Sequence, residues 1–546
     1  MKNIFKIIYF IFYSPKFIFV LAKVYFIDFL IYNLIKILSP FYRLQKKLIF
    51  NLLLSYNFKK SNKIIFDINN KKYINFNGKK NIEKLIVNKK SLKNLFSKIK
   101  IYKNVILGEI DSNGFFVSDD FKINGLVNIN KKKKIPRTRS KLQLIANING
   151  IFIKKTFLGI DAKKRFLYEL LVFDKLRKVK INIPKIIHTN LKNLSLTMEF
   201  IGPDLETNFF KKGIFLNSRE INKKFKRGFS TYKQRQDEYI ARGRKAIKSY
   251  DKKLVNSISD QFKKLHQNGI RIYDVKYGNI AIHHSTGKPY FFDFDSADIF
   301  NPKSLFFLIE RDRDTNKFNT MFNTSLLTYD LLKKKINNSD FPGSDILYSS
   351  FYIGSGLKIG RLWDISVGFG RWHFIVKNFI KLKSSTKILS LGTNNASLEL
   401  LMLKSGARTV IGYEKNINYI KQGYFLLNAM NWYNNQNYNL KYINKDISEF
   451  NKNKKTQDVV VALCSIYYLS EKKINTLIKH FKLRTKTIYL QCNHSKNIGR
   501  SKKKEYEKAS LNFTKKILLK NKLSNIQIKA PLSYSRPMIK VINNLN

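Results

Sequence analysis

Asp274, Lys276 and Asn279 share one short run, Ile270-Arg-Ile-Tyr-Asp-Val-Lys-Tyr-Gly-Asn279, and a further carboxylate, Asp293, follows in Tyr290-Phe-Phe-Asp-Phe-Asp-Ser-Ala297. This D-x-K-x-x-N spacing with a later D-F-x holds the groups that phosphoryl transfer requires. An acceptor hydroxyl must be held in line and deprotonated late, a part that Asp274 can play as catalytic base. Charge shifting across a triphosphate needs cations, and Lys276 is the second catalytic residue because it supplies one. Mg2+ would supply the rest, and Asn279 and Asp293 offer the oxygen ligands it prefers.

These groups need elements to position them. Ile280-Ala-Ile and Tyr290-Phe-Phe predict two strands around a polar turn, His283 to Pro289, that contains Gly287. The same chemistry asks for an upstream lysine on a strand and a glutamate on a helix. Gly150-Ile-Phe-Ile-Lys154 is an apolar run ending in a base. Arg165 to Leu176 carries Phe166, Leu170, Phe173 and Leu176 at helical spacing, with Glu169 off that stripe. An ion pair from Lys154 to Glu169 would aim the amine at the α- and β-phosphates of ATP. Lys155 is an equally basic neighbour, so the residues leave the choice between the two open.

The run Glu169-Leu-Leu-Val-Phe-Asp-Lys-Leu-Arg, then Ile183-Pro-Lys-Ile-Ile, Leu196-Thr-Met-Glu-Phe-Ile-Gly-Pro203 and Leu265-His-Gln-Asn-Gly-Ile270, resembles the small kinases of bacterial lipopolysaccharide and related sugar acceptors. The resemblance implies an α+β protein-kinase-like domain of two lobes. It also implies that Met198-Glu199-Phe200 is the hinge whose backbone holds adenine, and that the segment after Asp293 is short. Two departures stand out. Tyr273 replaces the usual basic or histidine residue before the catalytic Asp, and no G-x-G-x-x-G precedes Lys154. A basic turn, Arg137-Thr-Arg-Ser-Lys141, sits where a phosphate-covering loop would be.

A second pattern fills the last two hundred or so residues, in the size range of one domain. Thr386-Lys-Ile-Leu-Ser-Leu-Gly392-Thr-Asn-Asn-Ala396 reads as strand, tight turn and helix start. Ala407 to Glu414, Ile443 to Asp446 and Asp458 to Cys464 then read as further strands, each ending in a polar residue. Such alternation predicts an open parallel sheet with a ligand across its carboxyl edge. Glu414, closing the second strand, is placed to accept hydrogen bonds from two ribose hydroxyls. Asp446 follows the next strand, where an adenine amino group could be met. A dinucleotide site is the competing interpretation, but it needs glycines where Asn394 and Ala396 follow Gly392.

From Leu357 to Val541 the chain resembles class I S-adenosylmethionine-dependent methyltransferases, an α/β Rossmann-like domain, and one bacterial branch in particular. The pieces are Gly360-Arg-Leu-Trp-Asp, Arg371-Trp372, Leu391-Gly-Thr-Asn-Asn395, Ala462-Leu-Cys-Ser-Ile-Tyr-Tyr-Leu469, Leu490-Gln-Cys-Asn493 and Ala530-Pro-Leu-Ser-Tyr-Ser-Arg-Pro537. The resemblance implies S-adenosylmethionine at Gly392, Asn394, Asn395, Glu414 and Asp446. Ser390 replaces the acidic residue that usually opens the first motif, and Ala396 its third small residue. The pairing of the two domains is similar to the chain-terminating kinase-methyltransferases of O-antigen synthesis, with the domains in the other order.

Methyl transfer from a sulfonium needs an oxygen that is anionic or is deprotonated by a base. His373, His480, His494, Tyr467 and Tyr468 are the candidates, and packing is the commoner role for each. A phosphate monoester needs no base, because its second pKa is about 6.

With 546 residues the chain holds two or three domains. A net charge of +66 ordinarily points to nucleic acid or anionic membrane. Here lysine is spread among Asn and Ile along the whole length, and no base-stacking platform stands out, so nucleic acid is not an expected partner. Cys464 and Cys492 lie in strand ends and indicate neither a disulfide framework nor a metal site. Residues 1–55 are apolar and basic, interrupted by Lys6, Lys16, Lys23, Asp28 and Lys36 and broken by Pro15 and Pro40. They predict helical pieces lying in an anionic membrane surface, with an apolar cap on the kinase amino lobe as the alternative. Residues 206–250 read as a basic helical insertion.

The expected organisation is therefore a membrane-proximal segment to residue 55, a kinase-like domain over 56–340 whose lobes divide near 200, and a methyltransferase domain over 345–546. The expected activity is a bifunctional cytoplasmic enzyme of surface-glycan or glycolipid synthesis at the inner face of the cell membrane, with glycosyltransferases as further partners. The rivals are a methyltransferase half acting on an unrelated small molecule or protein, and a degenerate membrane-associated scaffold.

Overall fold

The computed structural model describes residues 26–40, 108–110, 116–118, 140–147, 150–159, 161–202, 204–211, 229–337, 347, 349–360, 372, 380, 382–452, 456–492, 504–529, 536–543 and 545. Expectations placed on 1–25, on the alternations between 63 and 76, on the turn at 137–139, on the boundary at 338–345 and on His373 and His494 lie outside the described residues. Two compact units emerge, Ile35–Leu326 and Leu327–Asn546, the latter joined by Met1–Leu34.

In the unit Ile35–Leu326, six strands form an antiparallel sheet: β1 (Gly108–Ile110), β2 (Phe116–Ser118), β3 (Ser140–Asn147), β4 (Gly150–Phe157), β5 (Ile186–Asn190) and β6 (Ser195–Glu199), in the order β1-β2-β3-β4-β6-β5. Alternation along β4 buries Ile153, Lys155 and Phe157 and leaves Lys154 and Thr156 half-buried on the other face. Helix Ala162–Arg177 packs on the buried side, with Phe166 edge-on to Phe157 at 5.6 Å. Its predicted stripe of Phe166, Leu170, Phe173 and Leu176 is fully or nearly fully buried.

The rest of this unit is helical, built from Leu205–Lys211, Phe229–Ile247, Lys252–Gln267 and Leu305–Phe322. The last is capped at both ends: Ser304 accepts the Phe307 amide at 3.2 Å, and Asn323 closes it in the left-handed region at φ 52°. Phe262 stacks on Phe318 and Phe318 on Phe322, with ring centroids 4.2 and 4.5 Å apart. Each such buried ring contributes roughly 1.5–3 kcal/mol relative to an exposed one.

Between the helices lie two short pairs. β7 (Ile270–Arg271) meets β10 (Asp298–Ile299). β8 (Ile280–Ile282) meets β9 (Pro289–Phe291) in the predicted hairpin, with Ile280 opposite Phe291. Gly243 lets helix Phe229–Ile247 lie against the Tyr277 ring, which any Cβ at that position would overlap.

The second unit opens with helix Tyr329–Asn337 and the hairpin β11 (Phe351–Gly354) and β12 (Leu357–Ile359); the Tyr329 hydroxyl donates to the Ser355 carbonyl at 2.7 Å. A Rossmann-like mixed sheet of seven strands follows: β13 (Lys387–Leu391), β14 (Thr409–Tyr413), β15 (Leu440–Ile443), β16 (Gln457–Leu463), β17 (Thr485–Gln491), β18 (Ile526–Lys529) and β19 (Met538–Ile542). The order is β15-β14-β13-β16-β17-β19-β18, with β13 to β17 parallel, β19 antiparallel to both of its neighbours, and β18 running in the same direction as the parallel five. Strands β14 and β15 run out one way from β13, and β16 and β17 the other. The carboxyl ends of β13 and β16 therefore form the switch point where such sheets bind ligands.

Residues 26–40 form a helix. Tyr32 stacks on Tyr329 at 4.4 Å, and Asp28 accepts from the Tyr352 hydroxyl at 3.2 Å. Residues 28 and 32 thus make contacts within the second unit, while the Lys36 carbonyl accepts from Arg313 Nη2 at 3.4 Å within the unit Ile35–Leu326. Phe26, Leu30, Leu34 and Ile37 are exposed. Among the described residues no helix is long and apolar enough to cross a membrane.

Candidate functional site

Lys155 Nζ lies 2.7 Å from Glu169 Oε2 and 2.6 Å from Asp293 Oδ1. The ion pair to Glu169 expected of Lys154 is thus made by its neighbour. Strand period decides this, because only odd-numbered side chains of β4 face the helix that carries Glu169. Burial opposes the charge on Lys155, but Asp293, Glu169 and Asp295 outweigh it and hold the amine protonated. Burial pushes Glu169 up to about 7 against the pull of Lys155. Asp293 stays below its usual range, since Lys155 and Lys276 overcome its burial.

Beside this triad is a cavity of about 310 Å³, within the size range of small-ligand sites. Leu142, Ile153, Met198 and Phe200 line its apolar part, and Lys155, Asp293, Lys276 and Asn279 its polar part. Lys276 Nζ pairs with Asp274 Oδ2 at 2.6 Å, and Asn279 Nδ2 donates to the Asp274 carbonyl at 2.9 Å. Burial disfavours the charge on Lys276, yet Asp274 and Asp293 raise its pKa above the usual value. Asn279 and Asp293 are the two neutral or anionic oxygen donors a Mg2+ ion would use. Among the described residues no group of three or more His, Cys, Asp or Glu could hold a metal. Two protein ligands completed by phosphate and water is the habit of Mg2+ at triphosphates, so the residues fit it.

The loop bearing Asp274 is held from behind by residues that no local motif announced. Asp314, on helix Leu305–Phe322, accepts the amides of Ile272 and Tyr273 at 2.7 and 3.2 Å and Arg271 Nε at 3.1 Å. Arg271 also pairs with Glu310 and covers the Tyr273 ring at 3.6 Å. Tyr273, the unusual residue before Asp274, sits at φ 60°, so this scaffold sustains a strained turn. On the other side Glu206 accepts from the Tyr239 hydroxyl and from the Gly278 amide, the latter at 3.2 Å. Helices Leu205–Lys211 and Phe229–Ile247, where the basic insertion was expected, thus reach the loop through one carboxylate and one hydroxyl.

In the second unit, the turn after β13 holds Gly392 at φ 72°, with Asn394 and Ala396 also left-handed at 51° and 56°. A Cβ on Gly392 would fall 2.6 Å from Ser465 Cβ, and Ser465 Oγ bonds the Leu391 carbonyl at 2.6 Å. This closes the turn against the end of β16. Glu414 is buried, and its two oxygens accept the amides of Asn394 at 2.9 Å and Asn416 at 2.8 Å. Asn395 is fully buried; its Nδ2 donates to the Ser349 carbonyl at 2.8 Å while its Oδ1 has no partner.

Asp446 lies one strand further on, accepting the Ser448 amide at 2.9 Å. Asn444 ties that strand end to the Glu414 carbonyl at 3.0 Å. Gly392, Asn394, Asn395, Glu414 and Asp446 thus converge on one edge. A left-handed glycine turn with a buried carboxylate beneath and an orphaned amide oxygen fits a nucleoside cofactor. Ser390, which replaces an acidic residue, donates to buried Glu399 at 2.7 Å, a carboxylate the motif reading did not reach.

Of the candidate bases, His480 packs edge-on to Phe450 at 4.9 Å. Tyr467 is buried, which raises its pKa, and lies 4.6 Å from the exposed Tyr468 ring.

No family model and no curated protein sequence matches the chain. Among solved structures it is similar to magnesium protoporphyrin IX methyltransferase from Synechocystis PCC 6803 with bound S-adenosylmethionine, at 14% identity over 41% of this chain and 100% of that one, with a TM-score of 0.27. It is also similar to monomeric WbdD, at 12% identity over 32% of this chain and 40% of that one, TM-score 0.25. The methyltransferase domain of bacterial CtHen1 shares 14% identity over 32% of this chain and 96% of that one, TM-score 0.24.

Proposed function

We propose that the chain is a bifunctional enzyme of surface-polysaccharide or glycolipid synthesis. The unit Ile35–Leu326 phosphorylates a sugar hydroxyl with ATP, and the second unit methylates the glycan or its new phosphate with S-adenosylmethionine. The observation that carries the kinase half is one amine, Lys155, bonded to both Glu169 and Asp293 beside a cavity that Lys276 and Asn279 also line. A lone lysine–glutamate contact is ordinary in so basic a chain. One that also grips the aspartate downstream of a D-x-K-x-x-N run assembles the parts of phosphoryl transfer.

Asp274 takes the proton of the acceptor hydroxyl as its oxygen bonds the γ-phosphorus and the bond to the β-phosphate oxygen breaks, releasing ADP. Lys276, bonded to Asp274, presents its cation to the transferring group, and Lys155 serves the α- and β-phosphates. Asn279 and Asp293 would hold a Mg2+ ion, which would supply further positive charge to the triphosphate. Adenine fits the apolar part of the cavity beside Met198 and Phe200, where strand β6 ends.

In the second unit Glu414 braces the glycine turn and offers its remaining lone pairs to ribose hydroxyls. The acceptor oxygen would then bond to the methyl carbon as the carbon–sulfur bond breaks, its electron pair staying on sulfur and S-adenosylhomocysteine leaving. Among the described candidate bases, His480 packs on Phe450 and Tyr467 is buried with a raised pKa, and an acceptor that is already anionic needs neither. A phosphate monoester is one, which supports phosphorylation first and methylation second. Purified protein is to be incubated with ATP, S-adenosylmethionine and surface glycan. Phosphate and methyl on one product is the expected result, and methyl transfer undiminished without ATP would exclude phosphate capping.

A further inference from the structure

Arg165 places three of its nitrogens on three different pieces of the phosphoryl-transfer site. Nη2 donates to the Leu158 carbonyl at 2.7 Å, just past the strand that bears Lys155. Nε meets Asp161 Oδ1 at 3.1 Å, ahead of the helix that bears Glu169. Nη1 meets Asp295 Oδ2 at 3.2 Å, two residues beyond Asp293. The guanidinium is buried, its side chain 6% exposed, and Asp295 is 20% exposed. A planar fork can serve three partners at once in a way that a lysine ammonium on a flexible stem does not.

The same helix grips the same segment twice more. Tyr168 donates its hydroxyl proton to Asp298 Oδ1 at 3.1 Å and accepts the Ile299 amide at 2.9 Å. Phe294, between the two aspartates, packs edge-on to Phe173 at 5.4 Å. Asp293 itself stands at φ 65°, a backbone state that a non-glycine residue holds only when its surroundings impose it. Swinging residues 293–299 away from the helix would break all of these contacts together. In switchable phosphotransferases the metal-binding aspartate and the helix glutamate are brought into place by a separate event such as loop phosphorylation. Here the connection is built into the chain.

We propose that Arg165 is a positioning residue: by holding Asp295 it fixes Asp293 at its metal-binding position, so that the unmodified chain carries an assembled kinase site. The inference rests on the phosphoryl-transfer reading above. Its test uses the full-length chain, MgATP as the probe and ADP formation as the readout, titrated with Mg2+.

Asp295→Asn, which is nearly isosteric, and Arg165→Ala should each raise the Mg2+ concentration for half-maximal turnover by about tenfold, as a disturbed ligand-orienting contact does, while the KM for ATP moves less. Asp161→Asn removes the charge from another partner of the same arginine and should leave the Mg2+ requirement alone. Circular dichroism of Asp295→Asn confirms that it folds. Phosphatase treatment of the parent protein should leave its rate unchanged. An unaltered Mg2+ requirement in Asp295→Asn, an equal change in Asp161→Asn, or loss of rate on phosphatase treatment would overturn the inference and leave the kinase reading standing. A parent protein that neither binds nor turns over MgATP would overturn both.

Discussion

Lys155 Nζ lies 2.6 Å from Asp293 Oδ1 across 138 residues of chain. That contact distinguishes it from Lys154, its neighbour on the opposite face of the strand. Lys155→Ala is expected to lower phosphoryl transfer at least about 100-fold, since it removes charge stabilisation from the reacting triphosphate. Lys154→Ala should stay within about twofold, as a half-buried residue outside the site does. Steady-state kinetics on both variants decide the assignment, and the reverse pattern would return it to Lys154.

Asp274→Asn separates chemistry from binding. Removing a general base costs typically about 10²–10⁴ in rate, whereas Asp274 touches the cavity only through Lys276 and Asn279. Calorimetric titration should show MgATP affinity within about threefold of the parent, the scale left by a peripheral change. Lost binding together with lost rate would remove Asp274 from the role of base.

Gly392→Ala probes the other unit. A non-glycine residue at φ 72° is strained by about 1–3 kcal/mol, and its Cβ would press on Ser465. Affinity for S-adenosylmethionine should fall by about tenfold or more, as that strain converts to binding. MgATP turnover should be untouched. Unchanged S-adenosylmethionine binding would move the cofactor away from this turn.

Acid should weaken the unit Ile35–Leu326 through His266. Burial holds its folded pKa below the usual value, while in the unfolded chain it titrates near about 6.5. Below that pH the unfolded state takes up a proton the folded state refuses, so stability is present above about 6.5 and is lost as the pH falls. Calorimetry of the full chain between pH 5 and 7.5 should show stability changing less favourably toward acid in the parent than in His266→Gln; Glu169, whose raised pKa favours the folded state as the pH falls, contributes equally to both. The described tryptophans, Trp372 and Trp432, lie in the second unit, so their emission follows that unit's transition. An identical slope in the variant would acquit His266.

The helix at residues 26–40 tests the membrane expectation. Phe26, Leu30, Leu34 and Ile37 recur at helical spacing and are 65%, 46%, 56% and 68% exposed. An apolar stripe on a chain this basic suits the surface of an anionic bilayer. Replacing the four by serine should abolish co-flotation of the full chain with vesicles of anionic phospholipid. Equal flotation of the variant would show that this stripe does not meet lipid.

Much of both sites was legible in the sequence because their residues cluster by spacing. Asp274, Lys276 and Asn279 are neighbours in one loop, and the glycine turn and Glu414 end adjacent strands, so motif and alternation suffice. Lys155 was undecided for a plain reason. Two consecutive lysines on a strand point to opposite faces, and nothing in Gly150 to Phe157 alone reveals which face the helix covers. Asp314, Glu310 and Arg271 were invisible because their partners are backbone amides and charges tens of residues away. Arg165 and Glu206 were likewise unmarked, since helix periodicity records apolar faces and says little about a buried charge. Glu399 was missed because its partner is a serine where a carboxylate was expected.

Asp314 has one more consequence. Its carboxylate occupies the amides of Ile272 and Tyr273 from inside a helix whose core face is aromatic, so those two protons are shielded by a side chain instead of by a neighbouring strand. In a deuterium-exchange experiment they should persist as a slow island between faster loop amides. The lifetime of that island reports how often the turn that carries Asp274 lets go.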